Sequence, residues 1–271
     1  MNKIIANVYL WVLLAILYAP IAIILIFSFT EAKVLGSWSG FSTELYASLF
    51  RGDAGSSLNQ AILNTFIIAF VSATISTVLG SIAAIGIYNM KRGQRRVVSF
   101  VNSIPMINPD IITGISIFLL FVFLGIGRGM GTVICAHIAF CTPYVVLSVM
   151  PRLMKMNPNI YEAALDLGAT PFMALQKVLI PELRPGMLSG FILALTLSID
   201  DFAVTLFTKG SGGIDTLSTF IYADARKGGL TPELRPLFAL IFIVILVLLI
   251  VQNFRTAKTG ESGTQRSKGA K

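Results

Sequence analysis

Three carboxylates stand where an apolar chain has no ordinary use for them. Asp110, Asp200 and Asp201 lie within or beside long runs of aliphatic and aromatic residues. A charged carboxylate inside a bilayer costs roughly 2.5–3.5 kcal/mol on an insertion scale, so each one needs a compensating role. The chemistry such an acid offers is electrostatic: it draws and holds a cation. Two local roles compete with that one. Asp110 follows Pro109 and can stabilise a helix start through the helix dipole. Asp200 and Asp201 would be about 100° apart on one helix, so they do not both face one path squarely. One of them can pair instead with Lys209, Arg226 or another chain.

Other reactive side chains point to no catalysis. His137 is the single histidine and has no acid near it in sequence. A lone membrane histidine is most often a hydrogen-bonding packer of helices. Cys135 and Cys141 are the only two cysteines, and on one helix they point to different sides, which speaks against a disulfide or a metal site. The chain contains no Gly-Lys pair and hence no phosphate-cradling loop, so any ATP chemistry belongs to a separate chain. No cofactor is expected. An integral membrane enzyme would need an acid pair, a His–acid pair or a nucleophile grouped at one interface, and the sequence shows none.

The elements that carry the acids are membrane helices. Of 271 residues, 55% are hydrophobic and 13% charged, with a mean hydropathy of +0.80. A soluble domain cannot hide that much apolar surface. A bilayer crossing takes roughly 20 apolar residues. Six spans are predicted, at residues 8–29, 62–88, 97–127, 130–150, 187–207 and 237–254. They make one all-α, integral membrane domain over residues 1–254, with a tail at 255–271 whose small, charged composition predicts disorder. At the N-terminus the apolar run continues to Phe29 without a small-x-small site, favouring a retained span over a cleaved signal peptide. Residues 216–227 read as a short surface helix on the outer face.

Charge fixes the orientation. The net charge is +8, but the basic residues sit between and after the spans, so membrane orientation explains them better than nucleic acid does. Fourteen Lys and Arg residues fall on one side of the predicted spans and seven on the other. The positive-inside rule then places both termini, and the 151–186 loop, in the cytoplasm.

The third span is too long for one crossing. Its 31 residues would make a helix of about 46 Å, against a hydrocarbon core of about 30 Å. It contains Pro105 and Pro109, and Asn108-Pro109 reads as a helix start, with Asn as cap and Pro in the first turn. The expectation is a broken helix or buried connector, or else a lead-in helix at the membrane interface. Broken transporter helices often mark the substrate path. If both spans were helical, Asp110 and Asp200 would lie at similar depth, about 20 Å from the cytoplasmic side.

The loop at 151–186 is the polar interruption in this pattern. Asn157-Pro158 starts a helix by the cap-plus-proline pattern. Tyr161-Glu162-Ala163-Ala164-Leu165-Asp166-Leu167 propagates it, and Gly168 ends it. Thr170-Pro171 starts a second helix and Pro181 is expected to stop it. Two short helices at an elbow result. Glu162 and Asp166 are placed near the helix N-terminus, where the dipole favours them. Ala163 and Ala164 give a slim surface.

The order Glu162-Ala163-Ala164, three residues, Gly168, nine residues, Val178-Leu179-Ile180-Pro181 resembles the EAA loop of bacterial ABC importer permeases. Val178 and Ile180 stand where that family usually has Ile and Leu. The resemblance implies the type I importer permease fold, with Glu162, Ala163, Ala164, Asp166, Gly168 and Pro181 meeting an ATPase subunit. Ser103-Ile-Pro-Met-Ile-Asn-Pro-Asp-Ile111, Leu197-Ser-Ile-Asp-Asp-Phe202 and the pieces Ile221-Tyr222 and Thr231-Pro-Glu233 look like the spermidine/putrescine permeases, of the second-subunit type. That resemblance implies a bacterial plasma-membrane protein in a heterodimer with a sister permease. An ATPase dimer and an extracytoplasmic polyamine-binding protein complete the expected assembly, with Asp110, Asp200 and Asp201 on the substrate path. Two alternatives remain open: the same kind of permease for another amine or cationic solute, and an ion-gradient transporter whose acids carry protons or Na⁺.

Overall fold

A computed structural model of the chain describes residues 3–32, 36–51, 56–157, 159–212, 214–227, 231–243 and 246–247. The described residues are helical, with no strand among them. The chain divides into two compact units, Met1–Ser56 with Ala223–Lys271, and Ser57–Tyr222.

The first unit holds α1 (Lys3–Phe27), α2 (Glu44–Arg51) and α12 (Leu234–Ile243). α1 is long and apolar enough to cross a bilayer, and its most apolar stretch buries nothing against the protein. The turn after it is pinned by the Ser28 hydroxyl, which lies 2.7 Å from the Tyr46 hydroxyl, and by Phe29 stacked on Phe41. Arg235, 1% exposed, donates from Nη1 to the Ala32 carbonyl at 2.7 Å, so α12 begins beside that turn.

The second unit is organised round α6 (Met130–Lys155), which packs between α3 (Ser56–Asn89) and α9 (Ile180–Asp200). Small residues permit the close approach. A Cβ at Gly80 of α3 would lie 2.7 Å from the Val145 side chain, and one at Gly190 of α9 would lie 3.1 Å from the same residue. The backbones meet where those glycines are. Hydroxyls supplement the packing: Ser72 and Ser76 donate to the Ile134 and Ile138 carbonyls, and Ser148 donates to that of Gly186.

The third predicted span is two helices, α4 (Arg92–Ile107) and α5 (Asp110–Phe123), bent by 105° at the break. Asn108 does not cap α5. It closes α4, with its N–H on the Ile104 carbonyl and ψ of 139°. Proline forces this: the residue before a proline is pushed out of the helical region, and Pro109 has no N–H to extend α4. α4 carries Arg92, Arg95 and Arg96 and buries no residue, which suits the interfacial lead-in expectation.

The fifth span departs from the sequence reading at both ends. Pro181 does not stop the second helix of the elbow. The helical course runs through α8 (Pro171–Ala174), a π turn (Leu175–Leu179) and α9 without interruption. A proline in an α-helix loses its own bond and collides with the carbonyl four residues back. The π turn relieves this, because the Ile180 N–H reaches the Leu175 carbonyl and the ladder is already shifted when Pro181 arrives. At the other end α9 stops at Asp200. Asp201 is extended (φ −63°, ψ 132°), and a new short helix, α10 (Ala203–Thr208), follows. Asp200 and Asp201 therefore do not share a helix.

Four single helices and the bent α4–α5 pair satisfy the length and composition of a crossing. Of the sixth predicted span, α12 covers the start with a helix too short to cross alone; beyond it only residues 246–247 are described, and the rest, like the 255–271 tail, lies outside the described residues. Residues 216–227 contain the short helix α11 (Leu217–Arg226), which buries Thr219 and leaves most of its other residues half-buried.

Candidate functional site

α5, α6, α9 and α10 converge on one pocket of about 460 Å³. α5 contributes Asp110 and Ile111, α6 contributes Phe140 and Tyr144, and the α9–α10 break contributes Leu197, Asp200, Asp201, Phe202 and Ala203. All three carboxylates singled out in the sequence line this space. Gly114 explains how α5 gets there: a Cβ on it would lie 3.1 Å from the Ala203 carbonyl and 3.2 Å from Val204 Cα. α5 and α10 thus touch backbone to backbone, and Asp110 sits one turn before that contact.

The three acids are not equivalent. Asp110 occupies the first turn of α5, where the dipole favours a negative charge. Asp200 ends α9, where the dipole opposes one. Both are exposed to the pocket side, and neither makes a hydrogen bond or ion pair among the described residues. Asp201 is the opposite case. Its side chain is 5% exposed. Oδ1 accepts from the Val204 N–H at 3.1 Å, and Oδ2 accepts from the Thr205 N–H and hydroxyl, both at 2.8 Å. It is the cap of α10, satisfying N–H groups that the new helix would otherwise leave open.

His137, fully buried on α6, completes this cluster. Nδ1 lies 2.6 Å from the Ser198 hydroxyl, and Nε2 lies 2.9 Å from the Thr205 hydroxyl and 3.4 Å from Asp201 Oδ2. The packing role expected of a lone histidine is present, but its acid partner was invisible in the sequence because it lies far along the chain, at the α9–α10 break. One signal was available. His137, Phe140 and Tyr144 recur at helical spacing and share one face of α6, and Phe140 and Tyr144 are lining residues the sequence reading did not name.

The elbow forms a second candidate site. α7 (Asn159–Asp166) begins after Asn157, whose side chain accepts from the Asn159 N–H at 3.0 Å; Pro158 lies outside the described residues. α7 ends in a double reverse contact. The Gly168 N–H meets the Leu165 carbonyl at 2.9 Å, and the Ala169 N–H meets the Ala164 carbonyl at 3.0 Å. Gly168 takes φ +89° to allow it, the left-handed conformation that glycine adopts without penalty. The Thr170 hydroxyl then accepts from the Met173 N–H, with Pro171 in the first turn of α8. Asp166 is placed differently from expectation: it is the last residue of α7, not near its N-terminus, because the helix is only eight residues long. Glu162, Ala163, Asp166, Gly168 and Pro181 are exposed, and Ala164 is half-buried. Leu167 and Phe172 are 89% and 71% exposed, two large apolar side chains left largely uncovered, with Phe172 at the edge of a cavity shared with Tyr88 and Leu153.

Both sites fall inside residues 76–257, which match the model of the family described as binding-protein-dependent transport system inner membrane component. The chain belongs to this family. It is a multi-pass inner-membrane transport component, of the ABC importer permease fold. Its relatives are transport subunits and not enzymes. The chain is 34% identical to the spermidine/putrescine transport system permease protein PotC of Haemophilus influenzae, over 93% of this chain and 96% of that one. It is 39% identical to the putrescine transport system permease protein PotI of Escherichia coli K12, over 83% and 81% of the two chains. Among solved structures it resembles a chain of the bacterial alginate ABC transporter in complex with an alginate pentasaccharide-bound periplasmic protein. There the TM-score is 0.66 at 19% identity, covering 90% of each chain. That similarity speaks for the fold alone.

Proposed function

We propose that this permease forms one half of the transmembrane path of an ABC importer for polyamines. Asp110 and Asp200 receive the ammonium groups of the solute, and the elbow round Gly168 meets the ATPase. The observation that carries this reading is the pocket, where two carboxylates with no hydrogen bond or ion pair among the described residues face aromatic side chains on otherwise apolar helices. An ammonium about 4 Å from a carboxylate gains roughly 4 kcal/mol at an effective dielectric of about 20. Aromatic faces such as those of Phe140, Tyr144 and Phe202 add attraction for a cation with alkyl substituents. A polyamine carries several charges on an apolar chain, and this lining suits both parts of it. A few separated charges hold such a solute loosely enough to release it again.

The remaining parts of the reading follow from the family and from charge. The lysine and arginine distribution supports cytoplasmic termini and a cytoplasmic elbow. Exposed Leu167 and Phe172 beside Gly168 give the elbow an apolar tip suited to a groove on a partner. The partners are then a sister permease, an ATPase dimer and an extracytoplasmic binding protein. The same pocket would serve another cationic amine equally well, because solute choice rests largely with the binding protein.

The test is co-purification of the chain from its native membrane in mild detergent, then uptake of labelled spermidine and putrescine by proteoliposomes holding the recovered complex. Recovery of an ATPase and a second permease, with uptake that requires ATP, supports the reading. Recovery of the chain alone, or uptake that persists without ATP and collapses with the proton gradient, overturns it in favour of a gradient-driven transporter.

A further inference from the structure

We propose that His137 is a positioning residue of the transport pocket: its ring locks Asp201 onto the start of α10, which leaves Asp110 and Asp200 as the carboxylates that receive the cation. This rests on reading the pocket as the polyamine path.

Hydrogen-bond accounting supports the lock. The Thr205 hydroxyl donates to Asp201 Oδ2, so toward His137 its oxygen offers only a lone pair. His137 Nε2 must therefore carry a hydrogen. In the neutral ring Nδ1 is then an acceptor, and the Ser198 hydroxyl donates to it. Every donor in the cluster is used once: Ser198 to His137, His137 to Thr205, Thr205 to Asp201, and the N–H groups of Val204 and Thr205 to Asp201. Nε2–H also points its positive end toward Asp201 Oδ2, 3.4 Å away. A largely buried network satisfied at every member holds one geometry.

Its position gives the lock a consequence for transport. No helical hydrogen bond spans Asp201 and Phe202, so side chains must join α9 to α10. His137 does so from α6 by holding Ser198 on one nitrogen and Thr205 on the other. Asp200 is one peptide from the locked residue, so its direction into the pocket follows that of Asp201. Without the ring, Asp201 keeps its bonds to Val204 and Thr205, but Ser198 and Thr205 lose the partner that ties the α9–α10 break to α6. The break is then free to shift, and the direction of Asp200 into the pocket shifts with it.

The test compares variants in the complete transporter, reconstituted in proteoliposomes, by the number of spermidine molecules moved per ATP hydrolysed. His137→Leu is expected to lower that ratio about tenfold. His137→Gln is expected to restore most of it, because an amide can donate to Thr205 and accept from Ser198. Ser198→Ala is expected to lower the ratio about threefold. The double variant H137L/S198A should be no worse than H137L, since both break one network. A wild-type ratio in H137L overturns the proposal, as does H137Q being as defective as H137L, or additive losses in the double variant. If H137L does not assemble, S198A and H137Q decide, and a wild-type ratio in S198A overturns the lock. Asp200→Asn in the same assay separates the two levels. If D200N moves spermidine normally, the pocket reading itself has failed. If D200N is defective and the histidine series is not, only the lock has.

Discussion

The elbow and the acid pocket are held together by contacts of different range, and that difference decides how each responds to change. At the elbow every shaping bond is local: Gly168 to Leu165, Ala169 to Ala164, Met173 to Thr170. Its exposed residues include the apolar Leu167 and Phe172 together with Glu162 and Asp166. At the pocket the local bonds of Asp201 are joined by contacts between elements distant in sequence, from His137 to Ser198 and Thr205, and by the close approach of Gly114 to Ala203. The elbow is a shape presented outward, and the pocket is a spacing kept inward. A mutation at the elbow should uncouple the protein without unfolding it. One at the pocket acts either on the solute or on the frame, according to whether its carboxylate is partnered.

Breaking the elbow should have the largest effect. Gly168→Val forces a β-branched residue to φ +89°, which costs roughly 1–2 kcal/mol in the left-handed region and favours a different turn. ATP-driven uptake is expected to fall at least about a hundredfold, while the protein inserts and extracts in normal yield. Retained uptake would mean that the elbow does not transmit force. Next in size is Asp200→Asn, which removes an unpartnered charge from the pocket. Uptake should fall about tenfold with recovery of the ATPase on the complex unchanged, and loss of the ATPase would assign Asp200 to structure instead. Gly80→Val tests the frame behind both sites. Its Cβ would meet Val145 at 2.7 Å, so overpacking should lower stability by about 1–3 kcal/mol, seen as a lower melting temperature in detergent. The smallest effect is expected from Thr170→Ala. Losing one cap bond removes about 1 kcal/mol locally, so uptake should fall less than twofold, and a large loss there would show that the second elbow helix is as critical as the first.

The same contrast governs what could be read from the chain beforehand. Gly168 and Thr170-Pro171 were legible because turn and cap chemistry acts within four residues. Pro181 misled because its usual effect was absorbed by the π turn just before it, for which Leu175–Leu179 carries no distinguishing residue. Asn108 misled because two local rules conflict at Asn-Pro, and the restriction on the residue before proline prevailed. Asp110, Asp200 and Asp201 could be found as anomalies of composition, but their separate situations could not. Which of the two adjacent acids caps a helix depends on where α9 stops, and the bonds across that break, from Ser198 and Thr205 to His137, run to another helix.

The π turn at Leu175–Leu179 has a geometric consequence of its own. A π turn holds one residue more than the α-helical turn it replaces, and its wider winding spreads about the same rotation over that extra residue. The bulge therefore takes up a residue without turning the elbow about the fifth span. Deleting a single residue between 175 and 179 would let the turn relax to an α-helix and leave the exposed faces of Leu167 and Phe172 aimed nearly as before. Deleting one from the regular helix of α9 would instead swing them by about 100°. The π turn is thus a length buffer between the elbow and the membrane.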